Sequence, residues 1–200
     1  EVWDMVAFLR ELPRLDSAQY RALAGVPGDC THCHGPDGTG RDGMPRLDIL
    51  SPAYIAGALR NFRQGLRPSG PMMAIAHRMS EADVARHATA FGPAAPRAAR
   101  PADDGTHAAR LALQGDPARD IPACLSCHET GDPAIYPAIL GQQAEYLRRQ
   151  LRLFTPEEPG HAPRRTGTAA HVMAEAARAL TPADIDALAD WLALAGRSTP

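Results

Sequence analysis

One pattern, C-x-x-C-H, occurs twice in this chain of 200 residues, and its two copies use all four cysteines. In this pattern two thiols can bond covalently to the edge of a porphyrin while the adjacent histidine ligates its iron, which is the attachment chemistry of a c-type haem. The sequence therefore predicts two covalently bound haems c and the transfer of single electrons. The predicted attachment residues are Cys30, Cys33 and His34 for the first haem and Cys124, Cys127 and His128 for the second.

Two other uses of paired cysteines fit this sequence less well. A structural zinc site needs four ligands, whereas each pattern supplies three and the two patterns lie 94 residues apart. A redox-active C-x-x-C pair would leave the histidine that follows each pattern unexplained. We therefore expect His34 and His128 to be the proximal iron ligands.

The spacing of methionines predicts the sixth iron ligands. Met173 is the one methionine in the second half of the chain, and it precedes Thr181 by eight residues. Met72 precedes Ser80 by the same eight residues, so the spacing favours Met72 over its neighbour Met73. A thioether ligand raises the reduction potential of a haem. A histidine as the sixth ligand would instead lower the reduction potential. This alternative stays open because four histidines lie near the candidate methionines: His77, His87, His161 and His171.

The elements that must position these ligands also occur twice. Pro45 and Pro137, 92 residues apart, follow the two haem patterns. Either their carbonyls, or the loops that they stiffen, accept the N–H of the proximal imidazole, or each proline only opens the following helix. Nine residues after each proline comes a tyrosine, Tyr54 or Tyr146, on an amphipathic helix. Both copies end in a helix with a good N-cap residue, Ser80 or Thr181, and an acidic first turn. Four arginines of the amphipathic helices are expected on solvated faces, with haem propionates as the alternative partners; they are Arg63, Arg67, Arg148 and Arg152.

The repeat predicts the domain organisation. Residues 17–92 form the first haem-binding domain, and residues 106–200 form the second. Residues 93–105 between them are rich in proline and alanine and are predicted to be a linker. Residues 1–16 are predicted to contain an N-terminal helix whose pattern, over 1–12, is similar to that of the two terminal helices. This helix either packs on the first domain or is the remnant of a preceding haem domain.

The composition limits the partners and the location. The net charge of −2, made more negative by haem propionates, excludes nucleic acid as a partner. All 21 basic residues are arginine, so docking onto an acidic partner would use planar guanidinium groups. The sequence contains neither an apolar run that could span a bilayer nor a signal peptide. Because haems of this type are attached outside the cytoplasmic membrane, we expect an exported, periplasmic protein that is soluble or attached to a membrane complex.

Several segments together resemble a known family, the tandem two-haem class I cytochromes c of the c-four type. They are CTHCHGPDGTG, CLSCHE, PAILGQQAEYLRRQL and MAEAARALTPADIDALADWL. The resemblance covers most of residues 17–195 and implies an all-α fold with two tandem class I cytochrome c domains, each wrapped around one covalent haem. It also implies histidine and methionine ligands and redox protein partners such as a dehydrogenase, a cytochrome complex or a terminal oxidase. The pattern over 1–12 leaves open a place in a larger multihaem cytochrome c.

These observations favour a di-haem electron carrier in a respiratory or dehydrogenase chain over an enzyme. A di-haem peroxidase needs an open or displaceable sixth position with acid–base groups beside it, whereas each copy offers a methionine at matched spacing. We therefore expect no catalytic residues. A haem-binding fragment of a larger oxidoreductase complex is a further alternative, which has the same chemistry and different partners.

Overall fold

The computed structural model describes residues 30–41, 43–91, 99–155 and 168–195, and these ranges are helical with no β-strand. The N-terminal helix predicted within residues 1–16 lies outside the described residues. In the first copy the helices are α1 (Thr31–His34), α2 (Pro52–Arg63), α3 (Gly70–Ala76) and α4 (Glu81–Ala90). The second copy contains α5 (His107–Leu113), a 3₁₀ turn (Pro117–Arg119), α6 (Cys124–His128), α7 (Ala144–Phe154), α8 (Thr168–Ala177) and α9 (Pro182–Ala195).

The two copies share the order of their elements. In each copy a short helix carries the haem pattern, and a longer amphipathic helix, α2 or α7, follows it. Then come a helix with the candidate methionine and a terminal helix, α4 or α9. The predicted tandem repeat is therefore present in the described residues, while the predicted domain boundaries at 16, 92 and 105 stay predictions.

Side-chain caps fix where the terminal helices begin. The Oγ of Ser80 accepts the backbone N–H of Asp83, and the Asp83 carboxylate accepts the backbone N–H of Ser80. Thr181 and Asp184 make the same reciprocal pair at the start of α9. Each pair satisfies two backbone donors that the first turn of a helix would otherwise leave unpaired. Both predicted N-caps are confirmed.

Each copy has its own apolar core. In the first copy, α2 packs on α3 and α4 around a small cluster of buried residues, which are Leu50, Ile55, Leu59, Met79, Val84 and Ala88. In the second copy, α9 packs on α5 and α7, and α8 also contacts α7. Its cluster includes Leu111, Leu125, Leu147, Leu188 and Leu192. Cores this small leave room for a large apolar cofactor to supply part of the buried surface.

None of the helices in the described ranges has both the length and the apolar character that crossing a bilayer requires.

Candidate haem sites

The two proximal histidines are held in the same way. Nδ1 of His34 lies 2.9 Å from the carbonyl oxygen of Pro45, and Nδ1 of His128 lies 2.8 Å from that of Pro137. A carbonyl can only accept, so Nδ1 carries the proton and Nε2 keeps a lone pair. This is the tautomer that a metal-ligating histidine needs. The expectation that these proline carbonyls orient the imidazoles is confirmed.

A glycine allows the first of these loops to close. Gly40 has φ +71°, a left-handed conformation, and its N–H donates to the carbonyl of His34 at 2.7 Å. A Cβ on Gly40 would lie 2.6 Å from the carbonyl oxygen of Met44 and 2.9 Å from the amide nitrogen of Arg46. Those two residues flank Pro45. Gly40 therefore permits the close backbone approach that brings the Pro45 carbonyl to the imidazole.

Burial also favours the ligating form of His34. The residue is only 7% exposed. Burial lowers the pKa of His34, and the hydrogen bond to Pro45 opposes this change without cancelling it. The imidazole is therefore neutral at neutral pH and able to bind iron.

The second copy contains a cavity that unites its predicted haem residues. Its volume is about 480 Å³, and Cys124, Cys127, His128 and Met173 all line it. This size lies within the range of cofactor pockets. Most of the wall is apolar and is formed by residues such as Leu147, Leu151, Phe154, Leu188 and Leu192. Two thiols, an oriented imidazole and a thioether in one apolar cavity are the donor set that a covalently bound haem requires, so the residues fit the group.

The cysteines are suited to attachment rather than to redox exchange. None of the four cysteines, all of which lie in the described ranges, forms a disulfide, and burial raises the pKa of the Cys124 thiol to about 11. Reactive cysteines of redox C-x-x-C pairs have lowered thiol pKa values. The shift at Cys124 has the opposite sign, which agrees with the rejection of a disulfide-exchange function from the sequence.

Three methionines of the first copy occupy different environments. Met72 lies on α3, is half-buried and packs against the core cluster of this copy. Its neighbour Met73 is 36% exposed, and Met79 is buried within the cluster at 6% exposure. The expectation that Met79 is a core side chain is confirmed. Both candidate ligands, Met72 and Met173, lie on short helices.

The alternative histidine ligands are dispersed. His77 and His171 are exposed, and His161 lies outside the described residues. His87 on α4 is the exception, because its Nδ1 lies 3.9 Å from the Sγ of Cys30. Its Nε2 is buried with no hydrogen-bond partner in the described part of the chain. His87 therefore lies beside the attachment cysteine of the first copy.

One contact between the two copies involves Gln142, which the sequence analysis did not select. The side-chain amide of Gln142 spans the backbone of Arg46: the Arg46 N–H donates to Oε1 at 2.7 Å, and Nε2 donates to the Arg46 carbonyl at 3.0 Å. Gln142 is only 2% exposed. Because Arg46 directly follows Pro45, this contact braces the loop that holds His34 against the second copy. The sequence does contain a signal for this contact, because Gln142 of the second copy corresponds to Leu50 of the first and so departs from the repeat.

The four arginines assigned to solvated helix faces divide into two groups. Arg63 pairs with Glu81, while Arg148 and Arg152 both pair with Asp186. For Arg67 the expectation was wrong: it follows α2 rather than lying on it and is 8% exposed. Its Nη2 donates to the hydroxyl of Tyr146 at 2.7 Å, across the contact between the copies.

Comparisons with known proteins agree with these sites. No family model matches the chain. A thiosulfate dehydrogenase electron acceptor of Thiomonas intermedia (strain K12) is 34% identical over 186 residues, which are 88% of this chain and 82% of the relative. A solved thiosulfate dehydrogenase (TsdBA) of Marichromatium purpuratum matches with a TM-score of 0.67 and 34% identity over 86% of this chain and 37% of that longer chain. The solved cytochrome c4 of Acidithiobacillus ferrooxidans matches with a TM-score of 0.67 and 25% identity, covering 82% of this chain and 98% of that one.

These relatives confirm the predicted fold class and cofactors. The fold is that of two tandem class I cytochrome c domains, and the cofactors are two covalently bound haems c. Proteins of this kind are electron carriers rather than catalytic enzymes, which excludes the peroxidase alternative. The chain therefore belongs to the family of di-haem class I cytochromes c that includes cytochrome c4 and the thiosulfate dehydrogenase electron acceptors.

Proposed function

We propose that this cytochrome accepts single electrons from a thiosulfate dehydrogenase in the periplasm and passes them to a downstream redox protein. The observation that carries this proposal is the likeness to a thiosulfate dehydrogenase electron acceptor, which extends over 88% of the chain at 34% identity. A protein of the cytochrome c type supplies one-electron chemistry at its haem iron, and the chain determines the potential, the orientation and the access of partners.

We further propose that His34 and Met72 are the axial ligands of the first haem and that His128 and Met173 are those of the second. The proline carbonyls support the histidines because they hold the proton on Nδ1 and leave the ring lone pair on Nε2. The shared cavity supports Met173, because His128 lines the same cavity. Partial burial against the first core supports Met72, whereas Met73 is exposed. In this arrangement the attachment residues are Cys30 and Cys33 and, in the second copy, Cys124 and Cys127.

We propose that electrons exchange with a partner at the rim of the cavity that His128 and Met173 line. Ile135 and Val172 both line this cavity and are 47% and 46% exposed. Exposed apolar side chains at the mouth of a cofactor pocket suit a transient interface that excludes water. A rim of this kind lets a partner approach the cofactor without opening the apolar wall.

Rapid mixing tests the choice of donor. The oxidised holoprotein is mixed with a catalytic thiosulfate dehydrogenase, with and without thiosulfate, and haem reduction is followed by absorbance. We expect fast reduction only when thiosulfate is present, and slower reduction for Val172→Glu, which places a charge on the rim. A cytochrome c4 serves as the comparison carrier. If the dehydrogenase reduces cytochrome c4 faster than this protein, while ascorbate reduces both, the proposed donor is wrong.

A further inference from the structure

Arg67 is a buried cation that lies between the two haem domains. It is 8% exposed, and its guanidinium carbon lies 4.6 Å from the centre of the Phe62 ring. Its Nη2 donates to the hydroxyl of Tyr146 at 2.7 Å, and the hydroxyl of Tyr54, from the first copy, lies close to the same guanidinium. The Oε1 of Gln150 is a further, longer contact at 3.5 Å. Arg67 belongs to the first domain, and most of its polar partners belong to the second.

These partners are all neutral, which distinguishes Arg67 from the other arginines near the contact. Arg63 pairs with Glu81, and Arg148 pairs with Asp186. By contrast, no carboxylate oxygen of the described ranges lies within 4.0 Å of the Arg67 guanidinium, the distance at which an ion pair would form. Taking a cation out of water costs several kcal/mol unless an opposite charge compensates it. The environment of Arg67 therefore calls for an anion that the described side chains do not supply.

The position of Arg67 indicates where that anion comes from. Arg67 lines the same cavity as His128 and Met173, and so do Tyr54 and Tyr146. A haem carries two propionate carboxylates, and a guanidinium binds a carboxylate through a planar pair of N–H donors. We propose that Arg67 of the first domain is the counter-ion of a propionate on the second haem and thereby raises the reduction potential of that haem.

The local sequence directs Arg67 to this place. Helix α2 ends before Gly65, which has φ +73° and whose N–H donates to the carbonyl of Phe62 at 3.1 Å. The N–H of Arg67 then donates to the carbonyl of Asn61 at 3.1 Å. This left-handed turn folds the chain back over the last turn of the helix. The Arg67 side chain consequently lies across Phe62 instead of continuing along the solvated face of α2.

The proposal predicts an effect on one domain from a residue of the other. Reduction removes one positive charge from the haem, so a nearby cation stabilises the reduced form. Arg67→Gln should lower the reduction equilibrium constant of the second haem about tenfold, the effect of a unit charge at about 10 Å and an effective dielectric constant of about 20. For a one-electron step, tenfold corresponds to about 59 mV. The inference rests on the two haems and not on the identity of the electron donor.

Spectroelectrochemical titration of the full holoprotein measures both haem potentials. The step that belongs to the second haem is identified beforehand as the one that Met173→His moves. We expect Arg67→Gln to lower the reduction equilibrium constant of this step about tenfold. Arg67→Lys keeps the charge, so its equilibrium constant should remain within about threefold of that of the parent protein. Arg63→Gln is the matched control, because it removes the same charge from an arginine paired with Glu81.

Each result decides the question. The proposal is overturned if Arg67→Gln leaves the second step unchanged, or shifts it no more than Arg63→Gln does. It is also overturned if Arg67→Lys and Arg67→Gln shift the step equally, since that would indicate packing rather than charge. If Arg67→Gln fails to retain two haems, Arg67→Lys decides alone. Two bound haems at near-parental potentials would support the proposal, and loss of haem from this variant as well would refute it.

Discussion

Asp184 on α9 offers a quantitative test of how the second domain is stabilised. Its carboxylate is only 3% exposed and lies 2.7 Å from Nη1 of Arg119 and 2.6 Å from Nε2 of His107. It also accepts the N–H of Thr181 at 2.9 Å, which completes the cap of the helix. Burial alone would raise the pKa of Asp184, but the hydrogen bonds from Arg119, His107 and Thr181 outweigh it and hold the pKa well below its usual range.

The perturbation is Asp184→Asn, which keeps an oxygen for the cap and removes the charge. Hydrogen bonds to a charged group contribute about 1.5–3 kcal/mol each. The side chains of Arg119 and His107 are 33% and 52% exposed, so solvent screens both contacts. We therefore expect the free energy of unfolding to fall by about 2 kcal/mol at neutral pH. Denaturant unfolding of the holoprotein, followed by far-UV circular dichroism, measures this difference.

The pH dependence of the same variant gives a sharper test. A carboxyl whose pKa is lowered in the folded state stabilises the protein above its unfolded pKa, about 3.9, and this stabilisation is lost as the pH falls through the folded value. The difference between the parent protein and Asp184→Asn should therefore be constant above about pH 5. Below about pH 4 it should shrink by about 1.4 kcal/mol per pH unit.

Asp83→Asn is the matched control for Asp184→Asn. Asp83 makes the same capping pair with Ser80 on α4, but its other partner is Arg86, whose side chain is 64% exposed. We expect a smaller loss of stability from this variant. The reasoning would be refuted if Asp184→Asn were as stable as the parent protein at neutral pH, or if its deficit persisted undiminished in acid.

Five further variants test the sites and the contact between the domains. Met72→Ala and Met173→Ala should each remove about half of the sulfur-to-iron charge-transfer band of the oxidised protein, and Met73→Ala should leave it unchanged; loss of the band in Met73→Ala would reverse the assignment. Gln142→Leu should lower the free energy of unfolding by about 2 kcal/mol, because it leaves the partly buried backbone N–H and C=O of Arg46 unpaired. Unfolding at the parental denaturant concentration would contradict this. Gly40→Ala should cost at least about 1 kcal/mol through left-handed strain, and a variant with parental stability and haem spectrum would show that the loop tolerates a Cβ.

The features that the sequence predicted correctly depend on residues close together in the chain. The haem patterns span five residues, and the caps of α4 and α9 join residues three positions apart. The proline carbonyls reach their histidines over 11 and 9 residues. Within such distances, covalent geometry and standard backbone conformations limit the possible arrangements, so residue type and spacing suffice.

The contact between the domains depends on pairings that no local pattern encodes. Arg67 and Tyr146 are 79 residues apart, and Arg46 and Gln142 are 96 apart. The sequence placed Arg67 on a solvated face because an arginine near the end of an amphipathic helix usually lies there. The turn at Gly65 overrides this tendency, and its effect depends on what the second domain brings to meet the side chain.

The way in which the two copies meet explains why residues that differ between them form the contact. The equivalent residues Tyr54 and Tyr146 both lie beside the single guanidinium of Arg67, as equivalent residues do near the axis of a symmetric dimer. In such a contact a residue near the axis meets its own equivalent, and two buried guanidinium groups there would repel each other. A single cation at the axis therefore requires the copies to diverge, and neither repeat spacing, 92 before Arg67 or 101 after it, places an arginine at the equivalent position of the second copy. The same logic applies to Gln142, whose equivalent in the first copy is Leu50. In a duplicated chain, departures from the repeat are thus the positions at which to look for residues that join the copies.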